Sequence, residues 1–252
     1  MRLILSTKII HRFQLLLINI AFFVSAIQGA TAQDTVLNKY GLWVIKDVAQ
    51  LKKTAKQNPA KAMIDLKKIK AGFVFDLRYA GDNNFMHQKL YPPIKTTFLR
   101  KAAADSLVCV QHELNQKGFG LKIFDAYRPY SVTEKLWEPV QDDRYAANPK
   151  KGSGHNRGIA VDVTIIKLSS HKELEMGTGF DNFSDTAHHA FKNLPEAVVH
   201  NRLLLKTTME KYGFKALDTE WWHYYLPNAA LYELLDVDFK KLELLNKKKH
   251  DN

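Results

Sequence analysis

An aspartate stands inside an otherwise apolar strand pattern near the middle of this chain. Residues 158–164 read Gly-Ile-Ala-Val-Asp-Val-Thr, which predicts a buried strand with Asp162 inside it. A buried carboxylate without a partner is energetically costly, so Asp162 must meet a metal ion or another strong partner. A buried salt bridge or a capping network is the alternative to a metal. Either way, the fold has to bring further polar groups to this strand.

Two histidines and a second carboxylate supply such groups. His155 precedes Asp162 by seven positions, and Glu220 precedes His223 by three. Two imidazoles and one carboxylate are a normal ligand set for catalytic zinc, which keeps a fourth position open. We therefore expect His155, Asp162 and His223 to hold one zinc ion per chain. Glu220 is left over, and a carboxylate beside the metal can take a proton from an attacking water and return it to a leaving amine.

The remaining periodicity predicts a single α+β domain, because helices and short strands are mixed along the chain without repeats. Between residues 168 and 195 the chain is rich in glycine and polar residues and has little periodicity, which predicts a long loop. Trp221 and Trp222 are expected to be core packing. Strands are predicted at residues 72–79, 119–125, 158–164 and 221–226, and helices at residues 97–117 and 196–212.

The first 32 residues have the three-part pattern of a secretory signal peptide. Basic residues without acidic ones come first, an apolar run follows over residues 15–27, and Ala30-Thr31-Ala32 supplies a cleavage site. An uncleaved membrane anchor is the alternative, but the apolar run is shorter than the roughly 20 residues that span a bilayer. We therefore expect cleavage after Ala32, no membrane span afterwards, and a periplasmic or extracellular protein.

Charge and cysteine content limit the remaining possibilities. Removing three of the 37 basic residues and none of the 26 acidic ones leaves a net charge of +8 after cleavage. The lysine-rich segments 52–70 and 240–249 are expected to be solvated helix faces, or to lie against an anionic cell surface. Neither is interleaved with aromatic residues, so no nucleic-acid partner is expected. Cys109 is the only cysteine, which excludes an intramolecular disulfide, and its mid-helix position predicts an inert thiol.

Several separated motifs resemble the zinc D-alanyl-D-alanine peptidases, a superfamily that includes the hedgehog-type domain. The pattern is most similar to the D-alanyl-D-alanine dipeptidases of the vancomycin-resistance type. Besides His155 with Asp162, the matching segments are Asp76-Leu77-Arg78-Tyr79 with Asn84-Phe85, Phe124-Asp125-Ala126-Tyr127-Arg128-Pro129, Ser153, Met176-Gly177-Thr178-Gly179-Phe180-Asp181, and Glu220-Trp221-Trp222-His223-Tyr224.

The resemblance implies roles for further residues. Arg128 would stabilise the oxyanion of the tetrahedral intermediate, as a fixed guanidinium near a metal can do. The alternative for Arg128 is a surface ion pair. Asp181 and Asp125 match positions that surround the substrate's ammonium group, and Ser153 matches a serine near the scissile carbonyl.

The resemblance also implies the architecture. A small antiparallel sheet would carry the zinc site between flanking helices in a catalytic domain over residues 65–236. We expect a basic extension over residues 33–64 before that domain, and a lysine-rich tail over residues 237–252 after it.

The implied function is a zinc metallopeptidase that splits the small dipeptide D-alanyl-D-alanine into two D-alanines. The resistance enzymes act inside the cell, whereas an exported relative would act in cell-wall peptide turnover or recycling. A D,D-carboxypeptidase or wall endopeptidase could use the same zinc ligands in a more open cleft, although the loop at residues 176–181 favours the dipeptidase. A zinc-stabilised binding module is the alternative outside the enzymes, but a closed structural site needs neither Glu220 nor Arg128.

Overall fold

Nine strands and five α-helices are present in the residues that the computed structural model describes, which are 37–247. The predicted signal segment, residues 1–32, lies outside the described residues. The strands are β1 (Val44–Ile45), β2 (Met63–Asp65), β3 (Val74–Phe75), β4 (Phe98–Arg100), β5 (Phe119–Asp125), β6 (Ala160–Lys167), β7 (Lys215–Leu217), β8 (Glu220–Tyr225) and β9 (Leu234–Leu235). The helices are α1 (Val48–Gln57), α2 (Lys101–Gln116), α3 (Tyr130–Val140), α4 (Glu196–Lys211) and α5 (Phe239–Lys247).

The central sheet has five strands in the order β3-β5-β6-β8-β7. Its pairings are antiparallel except for the edge pair β3–β5, which is parallel. Asp125 on β5 stands opposite Asp162 on β6, and Asp162 stands opposite His223 on β8. Side chains of directly opposed residues point to the same face, so the sheet itself brings these three polar groups together. The α+β prediction is confirmed.

The hydrophobic core lies on the opposite face of this sheet. Val161, Val163 and Ile165 of β6 join the main core cluster, whereas the intervening Asp162 faces away from it. This alternation follows from the two-residue period of a strand. Helices α2 and α4 cover the core face with buried residues that include Leu107, Leu114, Leu205 and Met209.

The segments at both ends of the described chain pack against the part of the fold that carries the sequence motifs. Strand β1 pairs with β9, and β2 pairs with β4. In α1 and α5, Leu51 and Leu242 are buried in a second hydrophobic cluster that also contains Tyr127. The Tyr127 hydroxyl donates a 2.8 Å hydrogen bond to the carbonyl of Val237. Parts of the predicted extension and of the predicted tail therefore belong to the packed body.

The solvated helix faces predicted for residues 52–70 and 240–249 are found on α1 and α5, whereas Lys61 pairs with Glu233 and Lys68 bonds the Asn246 carbonyl. Lys52, Lys53 and Lys56 on α1, and Lys240 and Lys241 on α5, are all exposed. No helix among residues 37–247 is long and apolar enough to cross a membrane.

Other boundaries differ locally from the predictions. The helix expected at residues 97–117 begins at Lys101, because residues 98–100 pair with β2. The strand expected at residues 72–79 is only two residues long and is followed by a 3-10 turn at Arg78–Ala80. The predicted long loop is confirmed, since residues 168–195 contain no helix beyond the short 3-10 turn Asp185–Ala187.

Candidate active site

The three predicted metal ligands converge at the centre of the sheet. His155 Nε2 lies 3.1 Å from His223 Nδ1 and 3.4 Å from Asp162 Oδ2, and His223 Nδ1 lies 2.9 Å from Asp162 Oδ1. Ligand bonds of about 2.0–2.1 Å in a tetrahedron separate donor atoms by about 3.3 Å. The spacing of the three donors therefore fits a zinc ion.

The protonation states of His155 and Asp162 also suit the binding of a metal ion. His155 Nδ1 lies 2.6 Å from the carbonyl of Ala126, so Nδ1 carries the proton and the Nε2 lone pair faces the cluster. Burial alone would raise the pKa of Asp162, but the His155 and His223 imidazoles lower it well below its ordinary range. An ionised carboxylate and an unprotonated imidazole nitrogen are the forms that bind cations.

Glu220 lies beside this cluster at the start of β8. Its Oε2 is 3.9 Å from His223 Nδ1, and its side chain is only 12% exposed. Burial, reinforced by the charges of Asp162 and Asp181, raises the pKa of Glu220 well above its ordinary range. A carboxyl group with a raised pKa next to a ligand cluster has the properties of a general base that later acts as an acid.

Arg128 approaches the same cluster from the segment between β5 and α3. Its side chain is buried, which excludes the surface ion pair. Nε donates a 3.0 Å hydrogen bond to Asp125 Oδ2, and Nη2 forms an ion pair at 2.9 Å with the same oxygen and lies 3.8 Å from Asp162 Oδ2. The guanidinium also stacks over the Tyr79 ring at 4.9 Å. It is a fixed positive charge close to the ligands.

Asp125 lies behind Arg128. It is fully buried, and its Oδ1 accepts a 2.8 Å hydrogen bond from the Tyr91 hydroxyl while Oδ2 accepts from Arg128. Both carboxylate oxygens are thus engaged by groups of this chain, and their geometry orients the guanidinium. The contact of Asp125 with a substrate ammonium group, which the resemblance implied, stays a prediction.

Asp181 is the other predicted carboxylate, and it does line the cavity. Its Oδ1 accepts a 3.1 Å hydrogen bond from the Tyr79 hydroxyl, and its Oδ2 accepts a 3.3 Å bond from the Phe85 amide. Burial raises the pKa of Asp181 to about 7. An incoming ammonium group would offset this burial cost, so the site suits a cation.

A cavity of about 340 Å³ joins these groups. It is lined by seven of the eight predicted site residues, which are Arg128, Ser153, His155, Asp162, Asp181, Glu220 and His223. A larger cavity of about 550 Å³ between α1 and α5 contains none of them.

Sequence reasoning missed several residues of this cavity. Tyr79 and Phe85 stand in the early motif, but nothing in that motif showed that they hold Asp181. Trp222, predicted as core packing and buried, also lines the cavity. Phe183 stacks on Tyr145 and contacts Phe85, with ring centroids 5.0 Å apart in both pairs, so three separate loops meet around the cavity. The sequence feature that indicates this contact is the presence of aromatic residues in loops that are otherwise rich in polar residues.

Comparison with known proteins agrees with this geometry. The sequence model of the D-Ala-D-Ala dipeptidase family matches residues 59–242, which include all eight predicted site residues. A D-alanyl-D-alanine dipeptidase of Escherichia coli K12 is 34% identical over 177 residues, covering 70% of this chain and 91% of that protein. D-alanyl-D-alanine dipeptidases of Enterococcus faecalis and Streptomyces coelicolor are each 29% identical, covering 62% of this chain and 86% and 87% of theirs.

Proposed function

Because this chain belongs to the D-Ala-D-Ala dipeptidase family and is therefore a peptidase, we propose that it hydrolyses D-alanyl-D-alanine to two D-alanines. The observation that carries the proposal is one cavity that combines the ligand cluster, Glu220 and Arg128 with the Asp181 carboxylate. The first three suit peptide hydrolysis, and the fourth suits the free amino group of a dipeptide. Membership of a peptidase family removes the pure binding module from consideration.

We propose that His155, Asp162 and His223 hold one zinc ion. When bound, zinc supplies Lewis-acid chemistry, which polarises the scissile carbonyl and makes an attacking water more acidic. The chain's own contribution is a set of donor atoms already at the required spacing, with the tautomer of His155 fixed by the Ala126 carbonyl. Little rearrangement is needed for binding.

Glu220 would move the proton. Its carboxylate takes a proton from the attacking water and passes it to the nitrogen of the leaving D-alanine. Burial and the nearby carboxylates raise the pKa of Glu220, so the protonated carboxyl group can deliver this proton to the leaving nitrogen as the C–N bond breaks. Its distance of 3.9 Å from His223 Nδ1 supports a position beside the ligands and outside the ligand set.

Arg128 would stabilise the negative charge that develops on the carbonyl oxygen. Two of its nitrogens are fixed by Asp125, which leaves the other N–H groups of the guanidinium for the cavity. A donor that is already fixed needs no reorganisation during the reaction, and this is the condition for effective oxyanion stabilisation.

Asp181 supports a dipeptidase over the alternatives in the same family. A dipeptide carries an ammonium group next to its single peptide bond, whereas a carboxypeptidase or wall endopeptidase substrate has an amide at that position. The Tyr79 and Phe85 hydrogen bonds hold the Asp181 carboxylate in place, but both donors are neutral, so an amide-bearing chain would leave its negative charge without a cationic partner. Sites built for polar groups reject unmatched substrates by about 10⁴-fold or more.

The test is a comparison of three substrates. Zinc-loaded protein is incubated with D-Ala-D-Ala, N-acetyl-D-Ala-D-Ala and a wall pentapeptide, and the products are identified by mass spectrometry. We expect rapid release of D-alanine from the free dipeptide alone. Comparable cleavage of the acetylated dipeptide or of the pentapeptide would replace the dipeptidase with the carboxypeptidase or endopeptidase.

We also propose that the enzyme is exported and acts in cell-wall peptide turnover or recycling. The three-part pattern of residues 1–32 supports export. N-terminal sequencing of protein purified from cells should begin at Gln33. A chain that retains Met1 and fractionates with the cytoplasm would contradict this proposal without affecting the reaction.

A further inference from the structure

Asn156 is a buried polar residue that the reaction described above does not use. Its side chain has no exposed surface. Nδ2 donates hydrogen bonds of 2.9 Å to the Arg128 carbonyl and 2.8 Å to Thr133 Oγ1, and Oδ1 accepts a 3.0 Å bond from the Ser153 amide. One side chain thus contacts the segment of the oxyanion arginine, the first turns of α3 and the segment of the first metal ligand.

The same two segments are joined by main-chain contacts around Asn156. The Arg128 amide donates a 3.2 Å bond to the His155 carbonyl, and His155 Nδ1 bonds the Ala126 carbonyl. The main-chain N–H of Asn156 also donates a 3.2 Å hydrogen bond to Ser153 Oγ. The main-chain N–H of Arg128 is therefore held by the His155 carbonyl, and its carbonyl is held by the side-chain amide of Asn156.

We propose that Asn156 is a positioning residue that fixes the main chain of Arg128 relative to His155. This inference rests on the proposed function, because it gives Arg128 its oxyanion role. Asp125 fixes the far end of the arginine side chain, and Asn156 fixes the peptide from which that side chain starts. A group that is misplaced by about 1 Å loses roughly 10²-fold in rate, so both ends matter.

The choice of asparagine follows from the three partners. Arg128 and Thr133 both accept hydrogen bonds here, while the Ser153 amide donates one. A primary amide provides two donors and an acceptor within one short side chain, whereas a hydroxyl provides one donor and an ionised carboxylate none. Alanine would remove the partners of the buried Arg128 carbonyl and of the half-buried Ser153 amide.

The test is a double-mutant cycle with Arg128. Asn156→Ala and Asn156→Asp are made in the wild-type protein and in Arg128→Ala, and D-Ala-D-Ala hydrolysis is measured. In the wild-type background we expect kcat to fall about 10- to 100-fold with KM within about threefold. In the Arg128→Ala background the further loss should be below about twofold, because the arginine being positioned is already gone.

Thr133→Val is the matched control. It removes one hydrogen bond of the same amide and keeps the bond to Arg128, so it should lower the melting temperature while kcat stays within about twofold of wild type. Asn156→Asp keeps the size of the side chain and the acceptor for Ser153, and it provides the answer if Asn156→Ala does not fold. Equal fold-losses in both backgrounds, or an unchanged kcat, would overturn the proposal.

Crystal structures of the zinc-loaded Asn156 variants give a readout without turnover. We expect full zinc occupancy together with a displaced Arg128 main chain relative to His155. An unmoved Arg128 in these variants would contradict the inference. If the wild-type protein does not cleave D-Ala-D-Ala, the proposed function fails alone, and the crystal structures still decide the role of Asn156.

Discussion

Replacing Asp181 with asparagine should stabilise the protein at neutral pH while impairing its activity. Burial raises the pKa of this carboxyl group from its ordinary value of 3.8 to about 7. The residue has a left-handed backbone, with φ at 60°, which asparagine also tolerates. The amide oxygen can still accept the bond from the Tyr79 hydroxyl. The substitution therefore removes the charge and preserves most of the geometry.

The sign of the effect follows from the direction of the pKa shift. A carboxyl group whose pKa is raised by folding binds its proton more tightly in the folded state. The free-energy cost of ionising this carboxyl group in the folded protein is absent below about pH 4 and reaches its full size above about pH 7. The free energy of unfolding of the wild type therefore falls as the pH rises from about 4 to about 7. Three pKa units correspond to at most about 4 kcal/mol, and screening at this half-buried position reduces the expected value to about 1–3 kcal/mol.

The assay is urea unfolding of metal-free wild type and Asp181→Asn at pH 4, 6 and 8 in the presence of a chelator, because a bound zinc ion would itself lower the pKa of Asp181. Subtracting the two free energies of unfolding at each pH cancels the titration of the other groups, including the metal ligands. We expect no difference at pH 4 and an advantage of about 1–3 kcal/mol for Asp181→Asn at pH 8. Asp82→Asn, at an exposed position three residues before Phe85, should show no such trend.

The activity of Asp181→Asn should fall although its stability rises. Asp181→Asn should slow D-Ala-D-Ala hydrolysis and abolish the preference for the free dipeptide over its N-acetyl form, because the ammonium group loses its partner. A stability difference that is the same at pH 4 and pH 8 would show that Asp181 titrates normally, and it would refute the burial argument. Stability given up at a binding carboxylate is a common cost of function.

Three further substitutions separate metal binding from catalysis. Glu220→Gln should keep one zinc per chain while kcat falls by about 10³-fold or more, and loss of the zinc would overturn its assignment as the base. Arg128→Ala should lower kcat about 10²- to 10³-fold with zinc retained, and an unchanged kcat would remove its oxyanion role. His223→Ala should lose zinc on dialysis, measured by elemental analysis, and full retention would exclude it as a ligand.

The cluster of His155, Asp162 and His223 was predictable because its residues contrast with their surroundings. Asp162 interrupts an apolar strand, and the two-residue alternation sends Val161 and Val163 to the core while Asp162 faces the other way. A carboxylate inside an apolar strand has few explanations other than a binding or catalytic site. Glu220 and His223 on β8 follow the same logic, and the pairing of β8 with β6 places His223 opposite Asp162.

The packing of the two terminal helices against each other was not predictable from local pattern. Each of α1 and α5 contains three lysines and buries few residues, mainly Leu51 in the first and Phe239 and Leu242 in the second. Those residues pack in one cluster although about 190 positions separate Leu51 from the other two in the sequence. Burial that depends on a partner so distant in sequence leaves only a weak local pattern. The lysines therefore predicted a basic extension and a lysine-rich tail outside the domain.

The placement of Asp125 depends on a structural irregularity that the sequence does not announce. Leu121 and Ile123 of β5 both face the core, and regular alternation would send Asp125 there too, opposite Val161. The register shifts between Ile123 and Asp125, so Asp125 stands opposite Asp162 instead. A bulge of one residue reverses the face of every residue after it, and here it moves a carboxylate from the core to the site. The ion pair that holds Arg128 beside the predicted metal ligands, and with it the proposed oxyanion site, exists because of that single extra residue.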